Sequence, residues 1–390
     1  MKKALIVTAF ADFIRAFLVK DIHILQDMGY DVHCAGNGRS FETEIAGFLK
    51  ENGTVFHEIA FSSNRPFSLS SVRCYRQLAD LLKEERFDAV FLHTPIPGVI
   101  GRAAAAKYRK DGMKVVYTTH GFYFHKGSSL KTRLVYKTIE TVMSAFSDAI
   151  ITINREDFAA AKKMRCGKAY YLPGMGVNLE RYRNCTVDRR EYRRSLGIPE
   201  NAFAVLAVGE LSRRKNHIVV VDALGECAIP NAVFVICGRA VTEDDTSALL
   251  LEEAARKNVK LILTGFREDI PEICRCADIG VLPSKREGLG LAGIEMLASG
   301  LPIVASGVHG IVDYVQDGFN GYLADPDDSH DFAEKIRKLY NGETRKEISG
   351  HCSASVENFS IDRSTEELTK IFRDILETDH RSSEEKHAKR

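Results

Sequence analysis

The sequence predicts an α/β protein with two doubly wound parallel sheets in tandem, and three observations support this class. The chain has 390 residues, which exceeds the usual size of a single hydrophobic core. Short β-branched, apolar runs alternate with segments of helical spacing, as in a parallel sheet covered by helices on both faces. This alternation stops at a charged stretch, 183–202, and then starts again. We therefore expect two domains joined near that stretch, which should hold one short helix.

The apolar runs give the bounds of the predicted strands and domains. The first-half strands are expected at 3–9, 31–35, 55–59, 88–92, 114–119, 148–153 and 168–172, and the second-half strands at 202–209, 232–238, 260–265, 278–283 and 301–306. The N-terminal Rossmann-like domain would then cover 1–183 and the C-terminal one 184–360. In such folds ligands bind at the carboxyl ends of the strands, here in a cleft that the two domains face.

The end of the chain is predicted to return to the first domain. A helix over 361–378 carries an apolar stripe that needs a partner, and Ser364 with Glu367 fits a capping box at its start. The polar tail, 379–390, is expected to be disordered.

Composition excludes several classes of protein. The formal net charge is +1, which argues against a general nucleic-acid partner. Nine cysteines are scattered without the spacing of a disulfide framework or a zinc site, so reduced thiols are expected. Charged residues interrupt the apolar run near the N-terminus, and no run reaches the length of a membrane span. These features favour a cytoplasmic protein and leave peripheral contact with a membrane surface open.

The turn after the first predicted strand argues against a dinucleotide-dependent dehydrogenase. The stretch that follows this strand is AFADFIRAF at 9–17, and it lacks the G-x-G-x-x-G fingerprint. Arg15 is placed by the sequence near the start of the first helix, where a cation is locally unfavourable. Its position is a weak indication of an anionic partner.

A glycine-rich segment with two carboxylates, REGLGLAGIE at 286–295, is a candidate ligand site in the second domain. The glycines would let the backbone approach a ligand, and a helix starting near Leu289 would offer unpaired N–H groups to a diphosphate. Glu287 in the loop and Glu295 about two turns into the helix suit sugar hydroxyls, because an ionised carboxylate accepts several hydrogen bonds. An ordinary surface charge remains the alternative for Glu295.

Two other turns of the second domain carry cations. Arg213, Arg214 and Lys215 cluster just before a predicted helix, which favours an anion site and equally favours a solvated basic turn. In the turn after the strand at 260–265, Glu268 or Asp269 could cap the next helix, so a structural turn is at least as probable there as a ligand contact.

The first domain has two histidines at predicted strand ends. His120 follows a strand and precedes a glycine, and His93 ends the previous strand. Both positions suit chemistry in a cleft, although a lone histidine is more often structural. Phe122 and Tyr123 add an aromatic surface that buried packing would explain equally well.

Together these segments resemble the retaining nucleotide-sugar glycosyltransferases of family 4, which have the GT-B fold. The resemblance covers roughly 3–375, and it is carried by Glu287-x7-Glu295 together with the Lys215-Asn216 turn. Further matching segments are GFREDI at 265–270, HTPIPGVIGR, THGF and YLPGMGVNLERY. It is closest to the branch that builds capsule, exopolysaccharide or O-antigen repeat units.

The resemblance implies specific roles on the donor side. Glu287 matches the family's carboxylate near the donor sugar, and Glu295 matches its carboxylate at the ribose hydroxyls. Lys215 matches the lysine that neutralises the diphosphate. The loop around sugar and diphosphate matches Gly288, Leu289, Gly290 and Leu291, and the remaining donor-side cations are Arg214 and Arg267. One position departs from the family pattern, because Glu210 stands where many members have arginine; Arg213 or Arg214 could supply that charge.

On the acceptor side the resemblance implies that His120 lies at the reacting face. The other acceptor-side candidates are Arg15, His93, Phe122 and Tyr123. The resemblance further implies transfer of a hexose or N-acetylhexosamine from a UDP-sugar, with retention and without a metal, to a glycan or undecaprenyl-diphosphate-linked acceptor. A GT-B-shaped sugar-nucleotide epimerase and a non-catalytic nucleotide-sugar-binding scaffold remain open as alternatives.

Overall fold

Two parallel sheets, each flanked by helices, form two separate units of the chain. The computed structural model describes residues 1–38, 45–61, 69–241 and 244–387, with side chains described up to residue 377 except at 69. One unit consists of Met1–Met175 with Asp362–Arg390, and the other of Gly176–Ile361. The α/β class and the two-sheet architecture predicted from the sequence are confirmed.

The sheet of the first unit has seven strands in the order β3-β2-β1-β4-β5-β6-β7, all parallel. The strands are β1 Lys2–Phe10, β2 Tyr30–Asn37, β3 Val55–Glu58, β4 Ala89–His93, β5 Lys114–Thr119, β6 Ala149–Thr152 and β7 Lys168–Tyr171. The helices between them are α1 Ala11–Phe17, α2 Val19–Asp27, α3 Ile45–Glu51, α4 Leu69–Glu85, α5 Pro95–Ala105, α6 Leu130–Ser144 and α7 Arg155–Ala161. The strand order reverses at β1, which pairs with both β2 and β4.

A buried ion pair joins α5 to α6 in this unit. The guanidinium of Arg102 lies 2.7 Å from the carboxylate of Glu140 and donates to the carbonyl of Gly98 at the same distance. It also lies 4.2 Å from the ring centroid of Tyr117. Because both charges are buried and each has a close partner, this pair fixes how the inner face of α6 packs.

The sheet of the second unit has six parallel strands in the order β10-β9-β8-β11-β12-β13. Its strands are β8 Phe203–Val208, β9 Ala232–Cys237, β10 Lys260–Gly265, β11 Ile279–Leu282, β12 Ile303–Ser306 and β13 Gly321–Ala324. Its helices are α8 Leu179–Arg183, α9 Arg189–Ser195, α10 Ile218–Cys227, α11 Ser247–Arg256, α12 Ile270–Cys276, α13 Leu291–Ala298, α14 Ser329–Tyr340 and α15 Gly342–Ser355. The edge strand β13 was not predicted.

The division between the units falls between Met175 and Gly176, earlier than the expected boundary at 183. The reason is the packing of α8 in the second unit, where Tyr182 is buried and contacts Glu295 of α13. The charged linker therefore begins after α8, which already belongs to the second unit. The one short helix predicted within the linker is α9.

The last helix, α16 Ile361–His387, belongs to the first unit. Its apolar stripe is buried, and the ring centroid of Phe372 lies 4.7 Å from that of Phe91 in β4. The predicted capping box is wrong, because the helix already starts at Ile361 and the hydroxyl of Ser364 donates to the carbonyl of Gly174. The helix continues to His387, into the tail that was expected to be disordered; 388–390 lie outside the described residues.

Candidate functional site

The loops after β8 and β11 meet at the carboxyl edge of the second sheet, where the strand order reverses. The side-chain amide of Asn216 donates to the carbonyls of Pro283, at 3.1 Å, and Pro326, at 2.7 Å. The backbone N–H of Lys285 donates to the carbonyl of Arg214 at 2.9 Å. These bonds join the basic turn to the start of the glycine-rich segment, so the two candidate donor segments lie side by side.

Glu287 is the centre of this site. Its side chain is only 10% exposed, and one carboxylate oxygen accepts from Lys215 at 2.7 Å, Ser284 at 2.8 Å and Arg214 at 3.3 Å. Burial alone would raise the pKa of Glu287, but the charges of Lys215 and Arg214 and the hydrogen bonds hold it below its usual value. The site therefore contains an ionised, nearly dry carboxylate held by two cations.

The two arginines of the basic turn have different partners. Arg214 lies 2.8 Å from the carboxylate of Glu210 and also contacts Glu287. Arg213 points to Asp244, and its side chain is 81% exposed. Of the two arginines, Arg214 is thus the one at the Glu287 cluster, where it also pairs with Glu210.

A glycine makes room for the lysine. Gly209, which follows β8, has a φ of 154°, and a Cβ there would come within 3.0 Å of the side chain of Lys215. The lysine therefore runs across the glycine to reach Glu287, and a side chain at position 209 would crowd it.

The glycine-rich loop leads directly into α13. Gly290 is the N-cap residue with a φ of 80°, a conformation that favours glycine, and its carbonyl accepts from the hydroxyl of Tyr314 at 3.0 Å. The helix begins at Leu291, two residues after the predicted start. Leu289 is buried, so this residue can offer a ligand its backbone but not its side chain.

Glu295 lies on α13 and is half-buried rather than an ordinary surface charge. Burial raises the pKa of Glu295 more than the hydrogen bond from Tyr182 and the charges of Arg181 and Lys215 lower it. A carboxylate with this environment can accept hydrogen bonds from sugar hydroxyls. Tyr182 was missed as a site residue, although it lies inside the quoted segment YLPGMGVNLERY.

Arg267 makes a local pair and is not joined to the Glu287 cluster. Its guanidinium binds the carboxylate of Asp269, with Nε 2.8 Å from Oδ1, and the same carboxylate accepts from the hydroxyl of Tyr192. Asp269 is the N-cap residue of α12, yet its side chain caps no N–H group, so the predicted capping bond is absent. Within the described parts of the chain, no hydrogen bond or ion pair links Arg267 to Glu287.

In the first unit, His120 and His93 form a pair at the carboxyl ends of β5 and β4. Nδ1 of His93 lies 3.1 Å from Nε2 of His120, and the rings are stacked with centroids 5.4 Å apart. Burial and the charge of Lys20 lower the pKa of His120 to about 3, so its imidazole is neutral at physiological pH. Lys20 was not singled out from the sequence.

Three of the acceptor-side expectations need correction. His93 is 1% exposed and contacts His120, so in this structure it can orient that ring but not touch an acceptor. Phe122 is 2% exposed and stacks on Phe124, which makes it a core residue. Arg15 lies in the last turn of α1, where a cation is favourable, and its position therefore gives no indication of an anionic partner.

Tyr123 is half-buried and stacks on Tyr136 of α6 at 4.9 Å.

Among the described residues, no cluster of three or more His, Cys, Asp or Glu side chains could hold a metal ion. All nine cysteines lie in the described ranges and none forms a disulfide. No helix in the described part of the chain is both long and apolar enough to span a membrane.

Two family profiles match the chain, one in each unit. "Glycosyl transferase 4-like" matches residues 5–154, and "Glycosyl transferases group 1" matches residues 188–351. With the two parallel sheets and the carboxylate–cation site, these matches define a glycosyltransferase of the GT-B type. The chain belongs to the group 1, family-4-like glycosyltransferases, which confirms the resemblance seen in the sequence.

Two curated relatives are at least 30% identical to the chain over the parts that align. A putative glycosyltransferase, EpsD, of Bacillus subtilis is 32% identical over 97% of this chain and 98% of its own length. The UDP-Gal:alpha-D-GlcNAc-diphosphoundecaprenol alpha-1,3-galactosyltransferase of Escherichia coli is 30% identical over 77% of this chain and 78% of its own length.

Solved structures share the fold at low identity. Anabaena HepE, in complex with UDP and glucose, has a TM-score of 0.77 at 20% identity, covering 95% of this chain and 99% of that one. Sucrose-phosphate synthase from Thermosynechococcus elongatus has a TM-score of 0.78 at 17% identity, covering 97% and 100%. At these identities the likeness establishes the GT-B fold alone.

Proposed function

We propose that this glycosyltransferase moves a hexose or N-acetylhexosamine from a UDP-sugar to an undecaprenyl-diphosphate-linked acceptor during the synthesis of a cell-surface polysaccharide. The Escherichia coli relative supports the lipid-linked acceptor and the uridine nucleotide, since its name states both. HepE, whose structure holds UDP and glucose, supports the nucleotide further. Such an acceptor would bring the protein to the inner face of the plasma membrane as a peripheral protein.

The observation that carries the donor assignment is the ionised, buried Glu287 between Lys215 and Arg214. A buried carboxylate with two cations is costly to assemble for stability alone, because replacing such pairs with apolar residues is often neutral or stabilising. A site for a charged ligand explains its presence. In this proposal Lys215 and Arg214 face the diphosphate, and Glu287 accepts from hydroxyls of the donor sugar.

The glycine-rich segment completes the proposed donor site. The backbone at Gly288, Leu289 and Gly290 and the first N–H groups of α13, from Leu291 on, face the diphosphate. Glu295 accepts from the ribose hydroxyls. Arg267 stays a proposed donor contact only if its bond to Asp269 opens.

The proposed reaction forms the new glycosidic bond on the face from which UDP departs. The bond between the anomeric carbon and the β-phosphate oxygen breaks, and the acceptor oxygen bonds to that carbon, so the configuration is retained. The acceptor proton passes to an oxygen of the departing phosphate. Negative charge grows on that phosphate as the bond breaks, and Lys215 and Arg214 stabilise it without a metal ion.

The first unit is proposed to bind the acceptor. A neutral His120 can accept a hydrogen bond from a sugar hydroxyl at physiological pH, and His93 holds its ring in place. Tyr123 and Arg15 remain proposed acceptor contacts on accessibility alone, because Tyr123 is half-buried and Arg15 is exposed.

A donor screen tests this function. Release of UDP would be measured from a panel of UDP-sugars, with and without undecaprenyl-diphosphate-linked acceptors, in excess EDTA. We expect release that depends on one sugar and on the lipid-linked acceptor and that persists in EDTA. Turnover that needs a divalent ion would contradict the cationic site, and no release with any acceptor would contradict transfer itself.

A further inference from the structure

The outer face of α6 exposes apolar side chains to a degree unusual in the described chain. Leu130 is 81% exposed and Leu134 is 72% exposed, values that only Met1 exceeds among the large apolar side chains described. Val135 and Val142 are 46% and 57% exposed. Leu130 and Leu134 are four residues apart, and Val135 and Val142 seven apart, so each pair shares one side of the helix, and the two sides lie about 100° apart around its axis. We call these four residues the α6 apolar face.

Positive charge surrounds the α6 apolar face. Lys126, Lys131, Arg133 and Lys137 are all exposed, whereas the only acidic residue between 126 and 146 is Glu140, which is buried against Arg102. Just before α6, the carboxylate of Glu156 accepts from the backbone N–H of Lys126 at 2.7 Å. Four exposed cations on one short segment are notable in a chain whose net charge is +1.

The inner face of α6 is firmly attached to its unit. The Glu140–Arg102 pair holds the C-terminal half of the helix, and the hydroxyl of Ser129 caps its start by accepting from the N–H of Thr132 at 3.2 Å. Near its end, the hydroxyl of Ser144 accepts from the N–H of Arg165 at 3.0 Å. The apolar face is therefore presented by an anchored helix and not by a loose segment.

We propose that α6 lies in the plane of a membrane surface and docks the protein on anionic phospholipid, with the α6 apolar face in the headgroup–acyl boundary and the four cations on the headgroup phosphates. An apolar face flanked by lysine and arginine is the pattern of an interfacial helix. A protein partner fits less well, because lysine is depleted at protein–protein interfaces. The inference extends the proposed contact with a lipid-linked acceptor and does not depend on which sugar is transferred.

Vesicle co-sedimentation of the full chain tests the proposal. The wild type is expected to bind vesicles of equal parts phosphatidylglycerol and phosphatidylcholine, to bind pure phosphatidylcholine weakly, and to release from anionic vesicles as salt rises. The double variant Lys131→Ala/Lys137→Ala should lose roughly 30-fold in partitioning, since each cation near an anionic surface contributes about fivefold. The variant Leu130→Ser/Leu134→Ser should lose at least about tenfold on the same vesicles.

Matched variants separate this surface from general effects of charge and hydrophobicity. Leu249→Ser/Leu251→Ser on α11 and Lys107→Ala/Lys110→Ala elsewhere in the first unit change the same chemistry at other exposed positions and should leave binding unchanged. Thermal melting by circular dichroism checks that each variant is folded, and calorimetry with UDP distinguishes the two proposals. Vesicle binding by a protein that fails to bind UDP would overturn the proposed function and leave this inference standing.

Two results would overturn the inference. One is a wild type that shows no preference for anionic vesicles, the outcome expected if the α6 apolar face binds a protein. The other is binding to anionic vesicles that survives both α6 double variants, which would place the lipid contact elsewhere.

Discussion

Replacing Lys215 with alanine should weaken the binding of UDP far more than the binding of uridine. The lysine lies at the carboxyl edge of the second sheet with its side chain 13% exposed, and its ammonium is 2.7 Å from Glu287. Its charge should meet phosphate and not base or ribose. The two ligands share their base and ribose and differ only in the diphosphate, so their comparison isolates that charge.

The size of the effect follows from the contacts of Lys215. A charge-assisted hydrogen bond contributes about 1.5–3 kcal/mol, or roughly one to two decades in affinity. Two features put the loss toward the upper end. Without Lys215, the carboxylate of Glu287 has less positive charge beside it and repels the diphosphate more strongly, and Arg214 compensates poorly because it also pairs with Glu210.

Isothermal calorimetry with UDP and uridine on purified protein measures the difference. Uridine binding should change by no more than about twofold, and Arg213→Ala serves as the matched control because that exposed arginine pairs with Asp244 outside the cluster. The double variant Arg214→Ala/Lys215→Ala should lose more than either single variant. Equal weakening of UDP and uridine by Lys215→Ala would refute the phosphate role.

Three further predictions concern activity, stability and pH. Glu287→Gln should reduce transfer about tenfold or more and, by leaving Lys215 without a buried countercharge, lower the free energy of unfolding by roughly 3 kcal/mol in urea titrations. Phe372→Ala should cost about 3–5 kcal/mol on the same assay, because the ring is 1% exposed and packs on Phe91. Burial and the charge of Lys215 lower the pKa of His217 from 6.5 to about 3. In the pH window between these two values, the unfolded chain therefore binds a proton at this histidine and the folded chain does not. Stability should therefore fall as pH drops through that window, by at most about 1.4 kcal/mol per unit, and His217→Gln should flatten this slope.

Each of these predictions has an outcome that would contradict it. Near-wild-type transfer by the Glu287→Gln variant would show that this carboxylate is not part of the donor site. An unchanged urea midpoint for Phe372→Ala would mean that α16 contributes little to the first unit. An identical pH slope for wild type and His217→Gln would mean that this histidine gains its proton equally in both states.

The fold could be predicted because most strands of a doubly wound sheet are buried on both faces and form continuous apolar runs. The exception, β13, has only four residues, and Tyr322 and Leu323 within it are half-exposed, so no such run marks it. The sequence predicts one continuous helix from Phe13 to Met28, because the apolar spacing continues across Leu18, where the structure has a break between α1 and α2. That break is why Arg15 was placed at the wrong end of its helix.

The site was predictable only where its chemistry lies next to a strand end. Glu287 and Lys215 stood out because charge and glycine occur together at such positions. Their long-range partners did not: Tyr182 reaches Glu295 from α8, and nothing in the sequence places the two side by side. The sequence alone does not distinguish an aromatic residue that faces a ligand from one in the core. Only the structure shows that Phe122 is a core residue.

The structure of the product tests the central proposal most directly. A UDP-sugar labelled with carbon-13 at the anomeric position would be incubated with the undecaprenyl-diphosphate-linked acceptor, and the products examined by NMR. The proposal predicts a new glycoside on the acceptor with the anomeric configuration of the donor. An inverted glycoside would contradict retention, a UDP-sugar altered at a ring carbon without transfer would identify an epimerase, and an unchanged spectrum with bound UDP-sugar would indicate a non-catalytic scaffold.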